Sequence, residues 1–263
     1  MEITYVPVLA ILRDLYAQPR DMARFQRYLS TITQGTQDVV VPIVAANPMA
    51  REHVLLRVNE LLAQGAEEVG AATAEEAATR LAPVPDQLKA SLVVADDAGG
   101  GWTNRYLTEA GARFDSRVDR KRNFVTTLLW SSEAPTAAEI RQELLGDIYR
   151  AAYRRRHGPA PTLRAMLEQE GLAACFAGRR PVLPPETIER ARAVIAPYLD
   201  EATYPQQFSA LYGDEAAVSV GYAALGLPPR AGFEVALAAA AGAGRDPLGT
   251  LAAPRDTRHE QPF

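Results

Sequence analysis

The feature that most constrains this chain is an alternation. Short runs of β-branched and apolar residues are each followed by a segment with the chemistry of a helix start. The segments DVVVPIVAA (38–46), ASLVVAD (90–96) and RNFVTTLLW (122–130) read as strands. Their apolar runs are nearly continuous, which suits strands covered on both faces, as in a parallel sheet with helical crossovers. Pro42 cannot donate to a ladder, so the first of the three is expected at an edge.

The helix starts are equally explicit. In AANPMAREHVLLRVNELLAQG, Asn47 is the expected N-cap and Pro48 the first helical residue, with Val54, Val58, Leu61 and Leu62 as the buried stripe. In APTAAEIRQELLGDIYRAAYRRRHG, Thr136 and Glu139 form a capping box ahead of Ile140, Leu144, Ile148 and Ala151. Upstream, residues 6–18 and 21–35 read as two short helices. In the second, Asp21 is the cap, Phe25, Tyr28, Leu29 and Ile32 share the packed face, and Arg20, Arg24 and Arg27 share the opposite one.

Beyond residue 160 the pattern is helical throughout. One helix starts on Thr162 and stops at Gly171, another covers 184–201 with a kink at Pro197, and further Gly- and Pro-punctuated helices follow. The tyrosines of this half, Tyr198, Tyr204, Tyr212 and Tyr222, are expected mostly in a core. The predicted fold is α/β: a short, mostly parallel sheet with helical crossovers, plus a helical C-terminal layer or subdomain. The expected division is an α/β domain over 1–160 with N-terminal helices, a helical subdomain over 161–253 packed on it, and a disordered tail over 254–263.

Apolar residues make up 48% of the 263 and charged residues 23%, a balance that can build a core without a partner. A formal charge of −4 gives no field drawing the chain to nucleic acid or anionic lipid. No apolar run is long enough to span a bilayer, and the first residues lack the basic and small-residue signature of a leader peptide. These features predict a cytoplasmic protein, binding neither nucleic acid nor membrane. The single cysteine, Cys175, is expected as a small core residue.

In open α/β sheets ligands bind beyond the carboxyl ends of the strands. The three expected exits are polar. They offer Asn47, then Asp96, Asp97, Thr103, Asn104 and Arg105, then Ser131, Ser132, Glu133 and Thr136, with His53 a turn or two along its helix. Gly99, Gly100 and Gly101 can turn successive backbone N–H groups towards one concavity suited to a carboxylate or phosphate, Trp102 can wall it, and Arg105 can pair with an anion. The plainer account of the same stretch is a flexible turn, with the aspartates capping the next segment and Trp102 in the core.

Asp96 and Asp97 are adjacent, so in extended chain they face opposite ways, and either would need Glu133 to form a carboxylate pair or to bind a divalent metal; the plainer account is two solvated acids at loop starts. His53 is the auxiliary base in this scheme and a solvated surface histidine in the plainer one. His157 follows Arg154, Arg155 and Arg156 at a helix end, where positive charge complements the dipole; His259 lies in the tail. No histidine pair has zinc spacing, and no phosphate loop or nucleophile elbow is present. GAGRDPLG (242–249) follows a helix where a nicotinamide or flavin fingerprint requires a strand. RVDRKRN (117–123) reads as a solvated turn.

The function expected from these features is binding of a small anionic ligand at a polar crevice, with hydrolysis or group transfer as the chemistry. Asp96, Asp97, Glu133 and His53 are the catalytic candidates. The rival expectation is a non-catalytic interaction or scaffold protein that self-associates through amphipathic helices such as 22–32 and 186–200.

Overall fold

The computed structural model describes residues 1–98, 103–114, 123–200 and 202–252. Contacts divide the chain into two compact units, the first of residues 1–109 and 116–148 and the second of residues 110–115 and 149–263, so the end of the helix Arg105–Phe114 belongs with the second. The expected tail over 254–263, with His259, lies outside the described residues, as does nearly all of the basic stretch 117–123.

The first unit is α/β. Its three described strands are β1 (Glu2–Tyr5), β2 (Gln87–Ala95) and β3 (Phe124–Trp130), all parallel, in the order β1-β2-β3. Tyr5 pairs with Ala90 in one register, and Ala90 through Ala95 pair with Val125 through Trp130 in the other. The run from Ala90 to Asp96 is buried residue after residue, as a strand covered on both faces requires.

The segment 38–46 is not a strand. The edge beside β2 is occupied by β1, a four-residue strand that the sequence does not announce. Pro42 breaks the donor pattern of 38–46, and the N–H groups of Val40 and Val41 turn back to the Ile32 carbonyl instead of joining a ladder.

Four helices lie between β1 and β2: α1 (Leu9–Tyr16), α2 (Met22–Thr33), α3 (Glu52–Ala63) and α4 (Ala66–Arg80). Asp21 caps α2 as expected, accepting from Arg24 N at 3.1 Å. The face of α2 is rotated from the expected one. Arg24, Tyr28 and Ile32 are buried, while Leu29 is exposed and Phe25 half-buried. Helix α3 starts at Glu52, not at Pro48. Asn47 folds its own chain into a local turn, its Oδ1 accepting from Met49 N at 2.9 Å. Short polar side chains that bond locally in this way compete with helix, which displaces the start by one turn.

Helix α4 approaches β1 closely: a Cβ on Gly70 would sit 2.5 Å from the Tyr5 ring. Tyr5 in turn donates its hydroxyl to Glu67, whose other oxygen accepts from Leu9 N at 2.7 Å.

After β2 comes α5 (Arg105–Phe114), and after β3 comes α6 (Ala137–His157). The expected capping box opens α6. Thr136 N donates to Glu139 Oε2 at 2.8 Å, and Glu139 N donates to Thr136 Oγ1 at 3.3 Å.

The second unit is helical. From Tyr149 onward it comprises the rest of α6, then α7 (Leu163–Phe176), α8 (Pro185–Ile195), a 3-10 turn (Ala196–Tyr198), α9 (Tyr204–Tyr212), α10 (Asp214–Ser219), α11 (Ala231–Gly242) and α12 (Pro247–Ala252). Thr162 caps α7, but the helix runs through Gly171 to Phe176. Gly171 is where α11 packs: a Cβ there would lie 2.4 Å from the Ala236 carbonyl oxygen. At Pro197 the chain does not kink a continuing helix; α8 has already given way to the 3-10 turn.

Phe176, Phe208 and Tyr212 anchor the core of this unit. Of the four tyrosines expected there, only Tyr212 is buried. Tyr204 is exposed, and Tyr198 and Tyr222 are half-buried. Cys175 is half-buried rather than a core residue, and burial pushes its thiol up.

A buried charge cluster crosses this core. Glu170 accepts from Arg113 Nη1 at 2.6 Å and from Arg150 Nε at 2.9 Å. Burial works to raise the Glu170 carboxyl, and Arg150 and Arg113 outweigh it, holding it below the usual range. Arg154 donates to the Ala112 and Arg113 carbonyls at the end of α5, so it caps that helix rather than its own.

Candidate functional site

The carboxyl ends of β2 and β3 and the turn before α3 converge within the first unit. The buried Asp96, directly after β2, is the hub. Its Oδ1 lies 2.8 Å from His53 Nε2, and its Oδ2 accepts from Asn47 Nδ2 at 3.1 Å. Ser131 Oγ, directly after β3, is 3.4 Å from the same Oδ1. Asn47 and His53 therefore reach Asp96 from the turn and from the first turn of α3.

Asp97 is held separately. Its Oδ1 accepts from Ser131 Oγ at 3.1 Å and Ser132 N at 3.0 Å, and its Oδ2 accepts from Ser132 Oγ at 2.7 Å. Arg105 Nη1 lies 3.6 Å from Asp97 Oδ2, and Arg105 Nη2 donates to Glu133. The Arg105 guanidinium also lies 5.2 Å from the centroid of the Trp130 ring, a cation–π distance.

Two expectations about these carboxylates change. Asp96 and Asp97 do not face opposite ways, because the chain leaves the strand at this point and both reach Ser131 Oγ. Nor are they solvated acids, since both side chains are about 5% exposed. His53 is not a free surface histidine either. Its ring is about one-third exposed and fixed by Asp96 through one nitrogen. Arg57, one turn further along α3, donates Nε to the Ser131 carbonyl at 3.4 Å, which brings the polar face of that helix onto the site.

Other expected residues fall elsewhere. Asn104 is an exposed cap of α5, accepting from Leu107 N at 3.0 Å, and Thr103 is half-buried beside it. Thr136 belongs to the capping box of α6. Gly99, Gly100, Gly101 and Trp102 lie outside the described residues. The Glu133 carboxylate is matched by Arg105 rather than by Asp96 or Asp97, and no three His, Cys, Asp or Glu side chains form a metal-binding group among the described residues.

Sequence reasoning missed two residues beside this cluster. Tyr16, the last residue of α1, is close enough to Asp96 for that charge to help hold its phenol protonated, although burial is the larger cause. Arg24 packs its guanidinium over the Tyr16 ring, 5.7 Å from the centroid. The spacing of Arg24, Tyr28 and Ile32 at i, i+4 and i+8 was the available signal, overridden by the habit of placing arginine in water.

The chain matches no protein-family model, no curated protein and no solved structure. Among the described residues, no helix is long and apolar enough to cross a membrane. What the fold and the cluster define is therefore a class: a parallel α/β unit with a polar, carboxylate-centred cluster at its strand ends, in a chain that continues as a helical unit.

Proposed function

We propose that the strand-exit cluster binds a small ligand carrying an anionic oxygen and acts on it by acid–base chemistry, as a hydrolase or group transferase. One observation carries this reading: the 2.8 Å contact between His53 Nε2 and Asp96 Oδ1, with Asn47 holding the second oxygen of the same buried carboxylate. A carboxylate that fixes one ring nitrogen sets the tautomer and leaves the other nitrogen to exchange a proton with a ligand. Nδ1 of His53 has no hydrogen-bond partner among the described residues.

Asp97 and Ser131 brace this dyad and are not themselves assigned a bond to the ligand. The test is a panel of phosphate esters, carboxylic esters and carboxylate metabolites, read by thermal shift and then by turnover. His53→Ala should abolish turnover of any hit while leaving the melting temperature of the free protein within a few degrees. Turnover that survives in His53→Ala removes the dyad from the mechanism.

A second reading has one specific support. Met22 and Leu29 on α2 are exposed, and with half-buried Phe25 they form an apolar stripe at helical spacing. Such a stripe suits association with another chain, without catalysis. Sedimentation of the wild type and of Met22→Gln/Leu29→Gln tests it, since only an association surface predicts a shift to smaller species.

A further inference from the structure

The cation expected to read an anion here, Arg105, already faces two carboxylates, Asp97 and Glu133. Arg24 is different. It is 3% exposed, and its guanidinium donates only to carbonyls: Ala50 at 2.7 Å, Gln18 at 3.4 Å and Tyr16 at 3.5 Å. No carboxylate pairs with it among the described residues, and its Nε has no hydrogen-bond partner. A buried guanidinium bonded only to neutral oxygens, with Asp21 acting on it at longer range and no carboxylate in an ion pair, is short of a direct counter-charge.

The ring beneath it supplies a second buried polar atom without a partner, the Tyr16 hydroxyl. Native structures leave few such atoms, and here two sit on side chains stacked on one another, each short of a partner. Both are donors. Burial first, then Tyr28 and Asp96, raise the Tyr16 phenol, so it stays protonated and can give a hydrogen bond. Arg24 also grips the Ala50 carbonyl, in the turn that Ala50 N closes on the Asn47 carbonyl, and Asn47 holds the Asp96 that contacts His53, so the pair lies next to the dyad.

We propose that Tyr16 and Arg24 form the inner wall of the strand-exit site and bind an anionic oxygen of its ligand, from a carboxylate or a phosphate. This inference rests on the reading of that site as an anion-binding site, and it assigns the recognition to Arg24 rather than to Arg105. Residues 34–51, which carry no helix or strand, run past the pair. That segment is fastened at Ala50 by Arg24 and at Ile43 and Val44 by the Tyr28 hydroxyl, at 3.3 and 3.2 Å. An anion reaching Arg24 takes over as its counter-charge, and Tyr16 donates to one of the anion's oxygens.

The experiment is titration calorimetry of the full chain with inorganic phosphate and, separately, acetate, on wild type, Tyr16→Phe, Arg24→Gln and Arg105→Gln. Tyr16→Phe removes only an unpartnered hydroxyl, so it should fold as well as wild type, which melting confirms, and keeps the test decisive should Arg24→Gln misfold. The expected result is binding of one or both anions, weakened about tenfold or more in Tyr16→Phe, as for loss of a hydrogen bond to a charged group, and nearly unchanged in Arg105→Gln. Which anion binds distinguishes phosphate from carboxylate chemistry. Wild-type binding that persists in Tyr16→Phe overturns the inference and leaves the anion site standing. Absence of binding to wild type overturns both.

Discussion

Asp96 and Asp97, neighbours in the chain, reach the same hydroxyl: Ser131 Oγ lies 3.4 Å from Oδ1 of the first and 3.1 Å from Oδ1 of the second. Two carboxylates, each about 5% exposed, can stand so close only where donors surround them. Ser131 also contacts the Asp97 backbone, its Oγ accepting from that N–H at 3.3 Å. Removing Ser131 Oγ leaves buried acceptors short of a donor, at a cost of about 1–3 kcal/mol. Urea unfolding of Ser131→Ala should show that loss, and an unchanged midpoint would mean that water replaces the hydroxyl.

The contact between α4 and β1 predicts a sharp response to one methyl group. Gly70→Ala drives a Cβ to 2.5 Å from the Tyr5 ring, which is itself tied to Glu67. Overpacking of this kind costs about 1–3 kcal/mol. The cost should shrink in the double variant with Tyr5→Leu, so a double-mutant cycle by thermal melting checks the origin of the effect as well as its size.

The second unit should be sensitive to acid through Glu170. Its carboxyl is held below the usual range when folded, and the ordinary glutamate value is about 4.3. A lowered folded value means that the unfolded chain takes up the proton first as pH falls. The stabilisation is therefore complete above about pH 4.3 and is lost as pH drops towards and through the folded value. Glu170→Gln leaves Arg113 and Arg150 buried without this carboxylate, and breaking such a group costs about 3–5 kcal/mol. Unfolding curves at neutral and acid pH should converge for wild type and variant in acid. A constant gap across that range would separate the effect from the charge.

The capping box of α6 gives a smaller, local prediction. Thr136→Ala removes the acceptor for Glu139 N and the donor to the Glu139 carboxylate. The expected loss is about 1 kcal/mol, and Thr136→Ser should recover most of it. Hydrogen exchange at the first turn of α6 is the direct measurement.

The sequence carried the sheet where side chains state their burial without ambiguity. Val93 and Val94 in β2, and Phe124 and Val125 in β3, are β-branched or aromatic residues in continuous apolar runs, and they sit where such runs must. Val39, Val40 and Val41 look the same locally. What removes them from the sheet is long-range: β1 already occupies that side of β2, and four residues of alternating character carry too little pattern to reveal it. The α2 face failed for the opposite reason. Arg24 is charged yet buried, because carbonyls from Tyr16, Gln18 and Ala50 meet it there, and no local pattern foretells partners 6 to 26 residues away. The convergence of Asp96, Ser131 and Asn47 followed from the parallel topology, since polar residues directly after adjacent parallel strands share one end of the sheet. The placement of Tyr16 beside them depended on the path of α1, which composition does not encode.

Asn47 divides its single amide between two tasks, the oxygen shaping the turn at Met49 and the nitrogen holding Asp96. That double duty narrows the replacements the position can accept. Aspartate would preserve the turn but set a second negative charge against Asp96, serine could not span both partners, and glutamine would carry its amide one bond too far. Divergent descendants of this chain are thus expected to drift freely along the exposed 34–38 while inheriting the asparagine intact, and a lineage that lost it would have to rebuild the turn and the support of Asp96 together.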